Sequence, residues 1–220
     1  DSLMVDDETL FRAMQVAAGS GALVMVHAEN GDAIEVLMGE AIAAGNTSPR
    51  YHALTRPPET EGEATNRAIQ LARVAGATLY VVHVSCAESV EPIAIAREKG
   101  WDIWGETCTQ YFFIDQSFLD RPDFESAKYV YTPPPRPKAN QEVLWNAVRT
   151  NVLQAISTDH CAYLFNGQKD AGKDDFRQIP NGGPGLENRL QMIHHFGVRE
   201  GRISLNRMVE LLCTNPAKLF

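Results

Sequence analysis

The feature of this sequence that most constrains its fold is a repeated alternation of short apolar runs with longer amphipathic segments. Each apolar run is continuous, which is typical of a strand buried on both faces of a parallel sheet. The longer segments carry apolar residues at helical spacing, and Asp6 or Asp7 can cap the first of them, which ends near Gly19 and Gly21. The predicted strands are 22–27, 78–84, 102–107 and 153–158, and the predicted helices are 6–18, 32–44, 61–76, 89–99 and 140–150.

Four strand–helix units in series predict an α/β fold with a parallel sheet and right-handed crossovers. Two architectures satisfy this pattern, an open doubly wound sheet and a closed barrel. No G-x-G-x-x-G motif follows a predicted strand, which argues against a dinucleotide-binding domain. The irregular stretch 110–138, rich in proline and aromatic residues, is longer than a simple connector and is predicted to be functional.

The composition excludes two classes of partner. A formal charge of −8 without clustered Lys and Arg argues against nucleic-acid binding. No apolar run approaches the roughly 18 residues of a membrane helix. Four dispersed cysteines and no visible signal peptide predict reduced thiols and a cytoplasmic location. Because the chain begins at Asp1 and not at an initiator methionine, we expect it to be part of a longer protein.

Three of the predicted strands end in a residue that can bind a metal ion: His27, His83 and Asp159. The carboxyl ends of parallel strands meet at one edge of a sheet or one mouth of a barrel, so these side chains are expected to converge. Imidazoles and a carboxylate suit a divalent ion such as Zn²⁺. A single strand-end histidine is more often a buried structural residue, and spacing alone leaves the two interpretations balanced.

Other polar candidates are weaker. His160 is either a partner that orients Asp159 or a structural hydrogen-bonding residue. His52 is predicted to lie at the surface, and 194–195, both histidines, on a helix after Glu187. Cys86 and Cys161 are predicted to serve packing, because no histidine is placed to activate either thiol.

The sequence resembles the dihydropyrimidinase and D-hydantoinase family over essentially its whole length, in the order and the spacing of six motifs. These are MVHAEN at 25–30, YVVHVS at 80–85, ETCTQY at 106–111, TPP at 132–134 with Arg136 after it, STDHC at 157–161 and IPNGGPG at 179–185. The resemblance implies a (β/α)₈ barrel of the metal-dependent hydrolase type. Residues 1–220 would then be the C-terminal half of the catalytic barrel, roughly strands 5 to 8, without the N-terminal strands and the β-sandwich domain.

The resemblance also implies the roles of individual residues. His27 and His83 are similar to the two histidines that hold the more exposed of two zinc ions, and Asp159 to the aspartate that binds the buried ion. Thr132 and Asn181 are similar to the positions whose backbone groups bind the amide edge of the substrate ring. A carboxylated lysine that bridges the ions, and a His-x-His pair, are expected upstream of Asp1. A homotetramer is expected from the same resemblance.

The implied reaction is hydrolysis of a cyclic ureide or imide, a dihydropyrimidine or a 5-substituted hydantoin, to an N-carbamoyl amino acid. Metal ions make hydroxide available near neutral pH, and Asp159 can carry a proton to the departing ring nitrogen. Alternatives are an allantoinase or a dihydroorotase, and a non-catalytic adaptor of the collapsin response mediator type. The retained His27, His83 and Asp159 argue against the adaptor, and the isolated 220 residues are expected to be inactive.

Overall fold

A computed structural model describes residues 4–220 as a four-stranded parallel sheet with helices packed against it. The strands are β1 (Leu23–Val26), β2 (Thr78–Val81), β3 (Ile103–Cys108) and β4 (Ala155–Ser157). The first six helices are α1 (Asp7–Ser20), α2 (Gly31–Ala43), α3 (Arg50–Leu54), α4 (Pro58–Ala75), α5 (Ala87–Glu98) and α6 (Ala139–Arg149). A last helical region comprises α7 (Arg189–Met192), a π-helical stretch (Ile193–Arg199), α8 (Leu205–Val209), a second π-helical stretch (Glu210–Thr214) and α9 (Asn215–Leu219).

The strand order decides between the two architectures that the sequence left open. The order is β1-β2-β3-β4, and every neighbouring pair is parallel, with Val26 beside Val81 and Cys108 beside Ser157. A doubly wound sheet reverses its strand order at a switch point, whereas a barrel adds each strand beside the previous one. The sheet therefore has the winding of consecutive units of a (β/α)₈ barrel.

Local sequence signals set the helix ends. The Asp6 side chain accepts a hydrogen bond from the Thr9 backbone N–H at 2.8 Å and caps α1, as predicted. Gly21 has a φ of 71° and ends the same helix in the left-handed conformation that glycine tolerates. The predicted helices lie within a few residues of the observed ones.

Three of the four strands, β1, β2 and β4, are shorter than predicted, whereas β3 has the predicted length. The sequence predicted a strand over 78–84, but β2 ends at Val81, and His83 has a φ of 40° that no strand accommodates. Likewise β1 ends at Val26 and β4 at Ser157, so each candidate ligand lies in the loop just beyond its strand.

Two hydrophobic cores support the fold. The larger lies between the sheet and the helices and contains Met14, Leu79, Ile93 and Leu144, all fully buried. In it, a Cβ on Gly62 of α4 would lie 2.7 Å from the Glu88 Cβ, so the glycine allows α4 and α5 to pack closely.

The smaller core lies beneath the long irregular stretch 110–138, which is ordered around it. Its members come from four separate segments of the chain: Ala53, Leu119, Ala127, Val130, Phe176 and Ile179. Short 3₁₀ turns carry the chain between these residues: Thr109–Phe112, Gln116–Asp120, Glu125–Tyr129, Lys169–Gly172 and Phe176–Gln178. Among residues 4–220, no helix combines the length and the apolar character that a bilayer crossing requires.

Candidate active site

The two predicted histidine ligands meet beyond the carboxyl ends of β1 and β2. His27 Nδ1 lies 3.0 Å from His83 Nε2, and the ring planes are inclined at 71°. Two imidazole nitrogens that face one another at this distance can coordinate one ion placed beside them. The convergence predicted from the strand ends is therefore present for this pair.

Backbone strain occurs at two of the predicted ligands. His83 and Asp159 have φ values of 40° and 46°, in the left-handed region that residues with a side chain rarely occupy. Such a conformation costs on the order of 1–3 kcal/mol and is most often found at functional sites.

His83 is held in its neutral form. Burial, and then the neighbouring His27, lower the pKa of His83 to about 4. Its Nδ1 is buried and has no hydrogen-bond partner among the described residues. Because a metal ion binds neutral imidazole, this environment fits a ligand.

Glu29 fixes the orientation of the His27 ring. The His27 Nε2 atom lies 3.1 Å from Glu29 Oε2, whose side chain is only 4% exposed. A proton on Nε2 that is donated to this carboxylate leaves the Nδ1 lone pair directed towards His83. Carboxylate partners of this kind fix the tautomer of metal-binding histidines.

A buried ion cluster lies under both histidine loops, centred on Arg136, which is 4% exposed. Its Nη2 donates to Glu61 Oε2 at 2.8 Å, its Nε donates to Ser85 Oγ at 2.9 Å, and its Nη1 donates to the Arg56 carbonyl oxygen. Arg136 Nη2 also lies 3.8 Å from Glu29 Oε1. Because Ser85 and Glu29 each follow a candidate ligand by two residues, Arg136 links the 130–138 stretch to both ligand loops.

The charges of this cluster stabilise each other. Burial alone would raise the pKa of Glu61, but the Arg136 charge and hydrogen bonds from Ser85 outweigh it and lower that pKa. Burial lowers the pKa of Arg136, and the charge of Glu61 more than restores it. Both groups therefore stay charged although they are buried.

Asp159 lies just beyond β4, as predicted. Its residue is exposed, and burial of part of the carboxyl raises its pKa against the opposing effect of His27. Within the described residues, no three His, Cys, Asp or Glu side chains are grouped closely enough to hold a metal ion by themselves. The imidazole pair therefore offers two donor atoms, and the roles of His27, His83 and Asp159 as metal ligands stay predictions.

The two predicted substrate-binding residues lie next to each other. Thr132 Oγ1 donates to Asn181 Oδ1 at 2.9 Å, and the Gly182 N–H donates to the Val130 carbonyl oxygen at 3.1 Å. A Cβ on Gly182 would lie 2.3 Å from the Cys161 carbonyl oxygen, so this close approach requires glycine. The structure brings the two loops together, and their substrate contacts stay a prediction.

The structure also shows the positions of two weaker candidates for the site, His52 and His160. His52 is buried in α3 and not at the surface as predicted, because its Nε2 reaches the Tyr131 carbonyl oxygen at 2.9 Å. Burial, and then the Arg56 charge, hold its pKa well below the usual range. The His160 Nδ1 accepts N–H bonds from Gly185 and Leu186 at 3.2 and 3.3 Å, which is the structural role.

Four other candidates, the histidines at 194–195 and the cysteines Cys86 and Cys161, make no hydrogen bond to the His27–His83 pair. The residues 194–195, both histidines, are exposed on the helical stretch after Glu187, as expected. Cys86 is buried and packs as predicted, with burial raising the pKa of its thiol. The packing prediction is wrong for Cys161, which is exposed because the segment after Asp159 runs along the surface.

Sequence reasoning missed the burial of Glu61 and Lys169. Glu61 is on the inner face of α4, and Lys169 is only 3% exposed in a polar segment. Arg136 appeared only as part of a motif. The sequence signal for the burial of Glu61 was its position beside the apolar face of α4, which consists of small residues. Its partner Arg136 is distant in the sequence, so only the fold reveals this ion pair.

The parallel winding and the paired imidazoles beyond adjacent strands define the class of protein as a (β/α)₈-barrel amidohydrolase, of which the chain comprises four strand–helix units. No protein-family model matches the chain. Comparison with individual proteins is more informative. The D-hydantoinase of Geobacillus stearothermophilus is 56% identical over 220 residues, which are 100% of this chain and 47% of that protein.

Solved structures agree with the sequence match. A dihydropyrimidinase from Brevibacillus agri superposes with a TM-score of 0.98 at 57% identity, over 99% of this chain and 47% of the other. An L-hydantoinase (dihydropyrimidinase) from Arthrobacter aurescens superposes with a TM-score of 0.89 at 34% identity. This match covers 98% of this chain and 47% of the other. The chain belongs to the hydantoinase (dihydropyrimidinase) family. It spans about half the length of the relatives that it matches.

Proposed function

We propose that this protein hydrolyses the cyclic amide bond of dihydropyrimidines or 5-substituted hydantoins and releases N-carbamoyl amino acids. The observation that carries the proposal is the 3.0 Å pairing of His27 Nδ1 with His83 Nε2 beyond two adjacent parallel strands. The 56% identity to a D-hydantoinase supports the same substrate class. It also favours a hydantoinase over an allantoinase, a dihydroorotase or an adaptor protein.

The residues of the pair fit a divalent metal ion. His27 and His83 would hold one ion, and Asp159 would contribute to a second. When bound, such ions polarise the ring carbonyl and supply a water that ionises near neutral pH. Zn²⁺ is the proposed metal because it accepts both imidazole and carboxylate ligands. A bridging carboxylated lysine stays an expectation from the family resemblance.

Asp159 is the proposed proton carrier. It takes the proton of the attacking water and delivers it to the ring nitrogen as the C–N bond breaks, because an unprotonated amide nitrogen leaves poorly. Burial of part of its carboxyl raises the pKa of Asp159, which favours the protonated form that this transfer requires at one stage. Its exposure leaves it accessible to substrate.

Thr132 and Asn181 form the proposed binding edge for the substrate ring. Their loops are joined by the 2.9 Å hydrogen bond between the two side chains. Backbone N–H and C=O groups of these loops match the donor and acceptor pattern of a cyclic amide. Arg136, buried behind the first of the two loops, fixes that loop relative to the histidines.

The test uses the protein expressed from its complete reading frame. Ring opening of 5,6-dihydrouracil and of a 5-substituted hydantoin is measured before metal removal, after chelation and after return of Zn²⁺, Mn²⁺ or Co²⁺. The proposal expects activity to disappear on chelation and to return with metal. Activity that survives chelation, or a metal-loaded protein that opens neither ring, contradicts it.

We also propose a homotetramer in the cytoplasm, from the family resemblance and the cysteine pattern. Light scattering on the purified protein measures the oligomeric state directly, and a monomeric mass would contradict the proposal. Fractionation of the source cells tests the location.

A further inference from the structure

Lys169 is a buried lysine between the two loops of the proposed ring-binding edge. It is 3% exposed, although lysine is among the residue types least often buried. Its Nζ donates to the Val130 carbonyl oxygen at 2.9 Å and to the Pro180 carbonyl oxygen at 3.0 Å. The ammonium also lies 5.8 Å from the centre of the Tyr163 ring, which is a third favourable neighbour of the charge.

The two carbonyl groups belong to the loops that carry Thr132 and Asn181. Val130 precedes Thr132 by two residues, and Pro180 comes immediately before Asn181. The Val130 carbonyl also accepts the Gly182 N–H, and Thr132 donates to Asn181. Lys169 thus completes a set of hydrogen bonds that determines the separation of the two loops.

A charged donor is needed at this position. Loss of the ammonium would leave the Val130 carbonyl oxygen with the Gly182 N–H alone and, among the described residues, the Pro180 carbonyl oxygen with no hydrogen-bond donor, which is costly where water is largely excluded. Burial lowers the pKa of Lys169 to about 8, so at neutral pH the group is still protonated. The contacts to charged nitrogen are among the stronger hydrogen bonds in proteins.

We propose that Lys169 is a positioning residue for substrate: it determines the separation of the Thr132 and Asn181 loops and thereby the affinity for the cyclic amide. The inference rests on the proposed function. Lys169 touches neither the histidine pair nor Asp159 among its hydrogen-bond partners. Its effect should therefore appear in KM and not in kcat or in metal content.

The experiment compares Lys169→Met and Lys169→Arg with wild type in the protein expressed from its complete reading frame. For Lys169→Met, KM for 5,6-dihydrouracil should rise roughly tenfold, with kcat changed less than about twofold and zinc content unchanged. Lys169→Arg keeps the charge, and its KM should lie between those of wild type and Lys169→Met.

Arg207→Met is the control for general loss of stability. Arg207 donates to the Val148 and Leu153 carbonyl oxygens at 2.7 and 3.0 Å, before the start of β4 and away from the strand ends that carry the site. It should lower the melting temperature without raising KM. Lys173→Met replaces an exposed lysine of the segment that contains Lys169, and it should change neither KM nor the melting temperature.

The outcomes separate this inference from the proposed function. A wild-type KM in Lys169→Met, with a melting temperature lowered as in Arg207→Met, overturns the positioning role and leaves the proposed function intact. If Lys169→Met does not fold, the KM of Lys169→Gln decides, because the shorter neutral amide cannot replace the ammonium between the two carbonyl oxygens, and a wild-type KM there overturns the role as well. A metal-loaded wild type that opens neither ring overturns both.

Discussion

His27 Nδ1 and His83 Nε2 lie 3.0 Å apart although 56 positions separate the two residues in the chain. The contact exists because β1 and β2 are parallel neighbours in register, with Val26 beside Val81, so that their carboxyl ends reach the same edge. The buried cluster of Arg136, Glu61 and Ser85 packs against the loops that carry His27 and His83 and stabilises them.

Glu29→Gln should weaken metal binding by about 10- to 100-fold, because a neutral amide fixes the His27 ring less strongly than the carboxylate does. The affinity is measured by competition for Zn²⁺ with a chelator of known strength. Glu40→Gln, on the exposed face of α2, is the matched control and should bind as wild type does. Equal affinities for the Glu29 and Glu40 variants would contradict the orienting role.

Arg136→Met should lower the free energy of unfolding by about 3–5 kcal/mol, because it leaves the buried Glu61 carboxylate without its partner. Denaturant unfolding measures the loss. The double variant Glu61→Leu with Arg136→Met should lose less than the sum of the single changes. Arg12→Met breaks the exposed ion pair with Glu8 and should cost no more than about 1 kcal/mol. If the losses of unfolding free energy from Glu61→Leu and Arg136→Met simply add in the double variant, the two side chains are not coupled and the prediction is wrong.

His83 should make the stability of the metal-free protein depend on pH. Burial and the neighbouring His27 lower its pKa to about 4 in the folded protein, whereas an unfolded imidazole titrates near about 6.5. As pH falls the unfolded state binds the proton first, so the free energy of unfolding should fall between about pH 6.5 and pH 4, by on the order of 3 kcal/mol.

The measurement for His83 is urea unfolding at several pH values across that window. His83→Asn should have a shallower dependence on pH than wild type, since it lacks the titrating group. His194→Asn, an exposed histidine, should keep the wild-type dependence. If the slopes of wild type and His83→Asn are the same, His83 does not titrate as its burial requires.

Asp159→Asn should reduce kcat by roughly 10²- to 10⁴-fold, because the amide cannot carry a proton to the departing nitrogen. Steady-state rates of ring opening measure the effect. Asp174→Asn, exposed in the segment that follows, is the control and should keep wild-type rates. Wild-type kcat in Asp159→Asn would remove this residue from the mechanism.

Much of the fold follows from local patterns that a sequence carries. The continuous apolar runs identify the four strands, the cap at Asp6 identifies a helix start, and the strand ends identify His27 and His83. The length of β2 was overestimated because the left-handed backbone at His83 depends on its surroundings and not on its residue type. The barrel-type strand order is likewise a property of the whole sheet.

The partners of buried charges could not be predicted. Arg136 and Glu61 are 75 positions apart, and His52 reaches Tyr131 across 79 positions, so neither contact leaves a periodic signal. Lys169 lies in a polar stretch that looks like a solvated loop, and only its two carbonyl partners reveal its burial. Contacts between polar residues that are distant in the sequence therefore could not be predicted from the sequence alone.

The most direct test of the central claim is the recovery of activity by the metal-depleted protein as Zn²⁺ is returned, measured for wild type and for His83→Asn. The rate of 5,6-dihydrouracil opening in wild type should rise with added zinc and saturate. In His83→Asn it should stay more than about 100-fold below that plateau, since a direct ligand matters at least as much as its supporting residues. Equal recovery in the two proteins, or full activity of wild type before zinc is added, would contradict the assignment of the paired imidazoles as metal ligands.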